Sequence, residues 1–303
     1  MENVKVKSSC KLCKEDIRVM AIAEGFSRAS FLSPFRLEGL AESPSLLVCS
    51  LVYGNTDLNS EEDARIENAV YIAPFAQKNY YKSSVKRLKR ISQKLRSAYG
   101  GEKSEYSIYS NSHLPEKKLA VASGLGFLGR NSLVITPESG SLFVISAMTL
   151  PFYLESDILE TKNDNPFPLC VKCDENNPPC VKACPTKALK GDGTVTLSRC
   201  IQWYASGNGE TVPQEVKENW GNRLYGCTSC QDACIYNKKP IPSISTEEGQ
   251  LPAYIDTKKL LSMSDEEIKI FFKGTALGLS WLGAEKIRRN AEIVLNMKSD
   301  CPP

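Results

Sequence analysis

The chain has a single histidine, His113, among 303 residues. A three-histidine zinc centre, an HExxH protease and a zinc finger with two cysteines and two histidines all need more than one, so none can be built within this chain. Long apolar runs are also missing. The best stretch, Leu142 to Leu154, is about 13 residues long and is broken by Pro151, short of the roughly 20 that a membrane span needs. The opening MENVKVKSSCKLCKEDIRVM places charges where a secretory leader needs an unbroken apolar segment of about 7 to 15 residues. A soluble, cytoplasmic protein with no membrane partner is therefore expected. Charge of one sign is scarce too: Lys+Arg 38 against Asp+Glu 35 leaves +3, so an RNA partner must rest on a local patch.

What the chain has instead is cysteine, 12 of them. At roughly 150 residues per domain the length suggests about two domains, large enough to bury a core without disulfide staples. In a reducing compartment such cysteines point to metal binding or redox chemistry. The texture changes near residue 155. Before it, LLVCSLVY (46–53), AVYIA (69–73), SLVIT (132–136) and LFVISAMTL (142–150) read as buried strands. Between the second and third lies an amphipathic helix from Asn79 to Ala98, with Val85, Leu88, Ile91 and Leu95 on one face and Gly100 as a stop. Strands alternating with helices give a mixed fold of the α/β or α+β class over 1–155. Residues 156–242 read as short helices and loops punctuated by Pro and Asn. Residues 243–303 read as a helical tail in which Ser264 and Glu267 form a capping box.

Eight cysteines fall in the middle segment: Cys170, Cys173, Cys180, Cys184-Pro185, Cys200, Cys227, Cys230 and Cys234. A cubane [4Fe-4S] cluster takes four thiolates. In two-cluster ferredoxins the cysteine before the proline serves the other cluster, so two interleaved sets are expected. Cys170, Cys173, Cys180 and Cys234 form the first, and Cys184, Cys200, Cys227 and Cys230 the second. Two four-cysteine zinc sites are the alternative, because C-x2-C pairs suit zinc equally. The six residues from Asp174 to Pro179 lengthen a loop that ferredoxins keep at two, and so expose the first cluster to solvent or to a partner. Cys10, Cys13, Cys49 and Cys301 read as ordinary thiols, Cys49 as a small hydrophobe in a strand.

Arg199-Cys200-Ile201, GNRLYGCTSCQDAC (221–234) and GLGFLGRNSL (124–133) together resemble epoxyqueuosine reductase. The resemblance runs from about Tyr71 to Met297. It implies a nitroreductase-like cobalamin-binding domain, then a ferredoxin-like double [4Fe-4S] domain and a C-terminal helical segment. It also implies that electrons pass through the clusters to cobalamin; an external low-potential electron donor and a monomeric state are expected besides. Its reaction would reduce the epoxide of epoxyqueuosine in tRNA to queuosine. Gly124, Gly126, Gly129 and Asn131 then become the expected cobalamin contacts, the glycines allowing close backbone approach to a flat corrin; taken alone their spacing reads equally as a turn. A paralogue reducing another small substrate, or an electron-transfer protein without cobalamin, are the alternatives.

Several positions depart from the family pattern. Aligned on Glu116, the family's proton-donating aspartate falls on Ser110, with Asn111 beside it, and neither is an acid near neutral pH. A YxxGxDYH-like motif becomes FAQKNYYK (75–82), a glutamate becomes Ala147, and the proline after the last cluster cysteine becomes Ile235. His113, whose imidazole titrates near neutrality, is the expected replacement donor, with Tyr109 as a second. A phosphate-binding surface is expected on the basic helix, from Lys82, Lys86, Arg87, Lys89, Arg90, Lys94 and Arg96, with Lys286, Arg288 and Arg289 in the tail.

Overall fold

The computed structural model describes residues 14–34, 43–55, 68–157, 170–174, 176–244 and 248–299; Cys10, Cys13 and Cys301 lie outside them. The first part of the chain runs through helix α1 (Lys14–Ala23) and strands β1 (Arg28–Leu32), β2 (Ser45–Val52) and β3 (Ala69–Ile72). It continues through α2 (Pro74–Gln77), α3 (Tyr80–Tyr99), β4 (Ile108–Ser110), α4 (Glu116–Ala122), β5 (Phe127–Leu128), β6 (Val134–Ile135) and β7 (Phe143–Leu150). The cysteine segment holds α5 (Pro179–Lys182), α6 (Ile201–Ala205), α7 (Gln214–Glu218), β8 (Arg223–Tyr225) and α8 (Ser229–Asp232). The last part holds β9 (Tyr254–Asp256), α9 (Thr257–Ser262), α10 (Asp265–Phe271) and α11 (Ala284–Ser299). Among the described residues no helix is long and apolar enough to cross a membrane.

Local chemistry sets these elements. Asn79 caps α3 by accepting from the Lys82 amide at 3.0 Å, and the helix ends at Gly100, whose φ of 81° suits a residue without Cβ. Leu88, Ile91 and Leu95 are fully buried along its inner face. The capping box of Ser264 and Glu267 starts α10 as the pattern requires. The expected strand at 132–136 shortens to β6, which folds back on β5 as a hairpin. Gly126 and Gly129 belong to this turn: a Cβ on either would lie 2.4 Å from Ile135 O or Asn131 Oδ1.

The first sheet has the order β1-β2-β7-β4 and every pairing in it is antiparallel. The fold is therefore α+β here, although helices alternate with strands in sequence. Antiparallel neighbours need no crossover helix between them, so α3 and α4 pack against β7 rather than linking parallel strands. All of β2 and nearly all of β7 are buried, which explains their uninterrupted apolar runs. Cys49 lies in β2 at 0% exposure and burial pushes its thiol above the ordinary range, as suits an inert hydrophobe.

A second sheet joins three parts of the chain. Strand β3 pairs parallel with β8 of the cysteine segment and antiparallel with β9 of the tail. The packing thus crosses both sequence boundaries, at 155 and at 242. The tail forms one core with the cysteine segment, centred on Trp220, whose indole N–H donates to Arg223 O at 2.6 Å. Removing a buried aromatic of this kind costs about 3–5 kcal/mol. Asn290 of α11, fully buried, donates to Ala205 O and Leu224 O, tying the tail to α6 and β8.

Candidate functional site

The eight cysteines of the middle segment separate in space into two groups of four. Cys170, Cys173, Cys180 and Cys234 line one small cavity. Cys184, Cys200, Cys227 and Cys230 line one side of a large cleft. Helices α5 and α8 pack together and produce the exchange between groups. Helix α5 places Cys180 in the first group while Cys184, just beyond it, joins the second. Helix α8 places Cys230 in the second while Cys234 joins the first. Cys230 and Cys180 feel each other electrostatically across the divide.

Both groups suit a polynuclear cationic cluster. Burial raises the thiol of Cys180 to about 11, with Cys234, Cys170 and Cys173 adding to the effect. Cys230 is pushed up by burial and then by Cys227, Cys180, Cys184 and Cys200. Thiols give up their protons when a metal arrives to balance the charge of the thiolates. Among the described residues no three Cys, His, Asp or Glu side chains converge as tightly as a single ion requires. Amide groups already point at sulfur: Arg130 N–H at Cys170 Sγ (3.3 Å) and Ala188 N–H at Cys184 Sγ (3.2 Å). Such bonds tune cluster potential.

The cleft beside the second group has a volume of about 440 Å³. Its far wall is the first sheet and its flanks, with Phe75, Tyr81, Phe143 and Ile145, and the segment Asn131-Ser132-Leu133 crosses it. Ser132 sits at φ 64°, an uncommon value for a non-glycine residue, and its carbonyl accepts from Lys117 Nζ at 2.9 Å. Asn131 is buried and its Nδ2 has no hydrogen-bond partner, so it is ready for a ligand acceptor. Crowding by protein holds the Lys117 ammonium below the usual lysine range, against a raising influence of Cys200.

The other expected contacts lie elsewhere. Gly126 and Gly129 face their own hairpin, and Gly124 borders a separate depression beside Arg28 and Asp157. Of the four expected cobalamin residues, Asn131 is the one that lines the cleft. His113 is exposed and stacks edge-on against Tyr109, with ring centroids 6.2 Å apart; neither residue lines the cleft. Ser110, at the family's acid position, pairs across the sheet with Ser146, and both hydroxyls are buried without partners. The cleft instead receives Asn111, which turns the chain at φ 50°, and Glu116 at the start of α4. Sequence reasoning used Glu116 as an alignment anchor and gave it no chemical role.

The basic helix also proves different from its sequence pattern. Lys82 and Lys86 pair with Glu248, and Arg90 and Lys94 pair with Glu24. Arg87 donates to the Glu24 carbonyl and to Ser83. In the tail, Arg288 donates to Leu261 O and Met263 O, and Arg289 to Tyr204 O and Gly209 O. Much of this charge fastens elements together, while Lys82, Lys86, Arg90 and Lys94 stay about half exposed.

The antiparallel sheet, the two thiol groups and the cleft between them define a class, a mixed α and β iron–sulfur protein with a ligand cavity against one cluster. A family model described as a 4Fe-4S double cluster binding domain matches residues 169–237. The chain is 30% identical over 255 residues to epoxyqueuosine reductase from Cyclobacterium marinum, covering 83% of this chain and 77% of that one. It is 28% identical over 260 residues to the Bacillus subtilis enzyme, covering 84% of this chain but 64% of the relative, less than two thirds of that protein's length. A crystal structure of epoxyqueuosine reductase with a tRNA-Tyr epoxyqueuosine-modified stem loop superposes with a TM-score of 0.76 at 25% identity, over 95% of this chain and 82% of that one. The chain belongs to the epoxyqueuosine reductase family.

Proposed function

We propose that this protein reduces the epoxide of epoxyqueuosine in tRNA to the alkene of queuosine. The observation that supports it most is the placement of Cys184, Cys200, Cys227 and Cys230 on the wall of the main cleft, so that electrons arrive where a substrate sits. A relative solved with an epoxyqueuosine-modified stem loop supports the same substrate class. The two thiol groups are read as two [4Fe-4S] sites of a ferredoxin-like segment, and the first core as nitroreductase-like. An external low-potential donor would meet the first site near Val171, which is 76% exposed next to half-buried Cys173. The protein is read as a cytoplasmic monomer.

The cleft fits cobalamin by its apolar walls, its position against the second thiol group and the unpartnered amide of buried Asn131. Asn131, Ser132 and Leu133 would hold it. When bound, cobalamin supplies a cobalt centre able to exchange electrons one at a time with an electrophilic carbon. The protein's own residues shape the space: Phe75, Tyr81 and Phe143 exclude water, and Gln202 fixes the Cys227 loop by accepting its amide hydrogen at 3.2 Å.

Anaerobic single turnover tests the reading. Reconstituted, reduced protein with cobalamin should convert epoxyqueuosine in tRNA to queuosine, read by nucleoside mass spectrometry. Failure with both clusters present and cobalamin bound contradicts it. Ser110 in place of an acid favours a second reading, in which the same site reduces a different small epoxide or halide; turnover of such substrates with tRNA inert would select it.

A further inference from the structure

Opening an epoxide reductively needs an acid at the ring oxygen, and Ser110 cannot supply one near neutral pH. Among the described residues that line the cleft, one carboxylic acid is present, Glu116. We propose that Glu116 is the proton donor to the substrate oxygen, an inference that rests on the reductase reading above.

The geometry suits the task. Glu116 is the first residue of α4, and its Oε1 accepts from the Ser112 amide at 2.9 Å and from Ser112 Oγ at 3.1 Å. Both bonds land on one oxygen and hold the carboxyl against its own loop. The Asn111 backbone amide is the carboxyl's remaining donor, and no side chain other than Ser112 bonds it among the described residues. Burial raises the pKa of Glu116 above the usual carboxylate range, while the bonds from Ser112 and Asn111 pull it partly back. A carboxyl so placed keeps its proton closer to neutral pH, as a general acid requires. The titratable groups around it are Tyr81 of α3 and Lys117 on its own helix. Burial, with Tyr225 and Glu116, pushes the Tyr81 hydroxyl far above its ordinary range, so Tyr81 is the weaker acid. Lys117 is engaged with the Ser132 carbonyl. His113 and Tyr109 lie outside the cleft.

The balance closes simply. Both carbon–oxygen bonds of the epoxide break, the carbon–carbon double bond forms, and the oxygen leaves as water. Two electrons come from the external low-potential donor and two protons from the protein and solvent. Glu116 gives the first proton to the ring oxygen and is reprotonated from water at the mouth of the cleft.

The test compares wild type, Glu116→Gln, Glu116→Asp and the double variant Glu116→Gln with Ser110→Asp in anaerobic single turnover. Glu116→Gln should be slower by about 10²–10⁴-fold while tRNA affinity changes by no more than about twofold and iron content is unchanged. Glu116→Asp should recover part of the rate, and the double variant should recover more than Glu116→Gln alone. Infrared difference spectra across a pH series should show a carboxyl band that titrates above the ordinary carboxylate range in wild type and that Glu116→Gln lacks. A wild-type rate in Glu116→Gln overturns the proposal, and so does loss of iron or of tRNA binding, which would make the residue structural. A wild type that never forms queuosine overturns the reductase reading instead.

Discussion

Replacing Asn237 with alanine should uncouple the cysteine segment from the first sheet. Asn237 is 7% exposed, three residues past Cys234. Its Oδ1 accepts from the Ser141 amide at 2.8 Å, and its Nδ2 donates to Gln231 O at 2.9 Å and to Ser141 Oγ at 3.0 Å. Gln231, between Cys230 and Cys234, reaches the same place by donating to Tyr53 OH at 2.7 Å. Alanine strands the Ser141 amide in a buried site, while the Gln231 carbonyl keeps the bond it accepts from the Cys234 amide at 3.0 Å. At about 1–3 kcal/mol for one unsatisfied buried group the cost is about 1–3 kcal/mol, with about 2 as the centre. Against a total stability of about 5–15 kcal/mol that is a large fraction. With a urea slope of about 2–3 kcal/mol/M the midpoint should fall by roughly 0.7–1 M. The assay is anaerobic urea unfolding of cluster-loaded protein, followed by tryptophan emission and by cluster absorption, and both midpoints should move together. A change worth less than about 1 kcal/mol would refute the assigned role of this network.

Other substitutions probe the remaining assignments. Cys230→Ser should lower iron from about eight to about four atoms per chain, and Cys170→Ser should remove the other four, so that the double variant holds almost none; equal iron in all variants contradicts the two groups. Burial opposes ionisation of Glu24, but Lys94 and Arg90 overcome it and hold its carboxyl below the usual range. Its stabilising share is therefore complete above the unfolded value near 4.5 and fades as pH falls through the lower folded value. The gap in thermal midpoint between wild type and Glu24→Gln should accordingly close in acid. Arg289→Ala should lower stability while leaving the salt dependence of tRNA binding unchanged, because its guanidinium is spent on Tyr204 O and Gly209 O; a flatter salt slope would show a phosphate contact.

Local features of this protein were legible in its sequence and non-local ones were not. Strand β2, strand β7, helix α3 and the capping box of α10 follow from periodicity and capping chemistry confined to a few residues. The grouping of cysteines was expected from the ferredoxin pattern, and the cavities they line divide them alike: Cys180 in α5 and Cys184 just beyond it, like Cys230 in α8 and Cys234 just beyond it, lie on different cavities. The pairing of β3 with β8 and β9 joins segments more than 150 residues apart, and nothing in AVYIA announces it. The basic helix looked free because Glu24 and Glu248, which pair with four of its seven cations, lie far away in sequence. Glu116 escaped notice for the same reason: its importance comes from being the carboxyl at the cleft wall, and burial of a single acid leaves no periodic mark. Gly126 and Gly129 serve the hairpin they build, and a tight hairpin and a flat ligand ask the same close approach of glycine, so their spacing alone does not separate the two uses.

The central claim is tested most directly in a cell that lacks its own epoxyqueuosine reductase. With this chain expressed there and cobalamin supplied, tRNA nucleosides should contain queuosine in place of epoxyqueuosine. Epoxyqueuosine persisting unchanged, while protein purified from the same cells holds both clusters, would contradict the account.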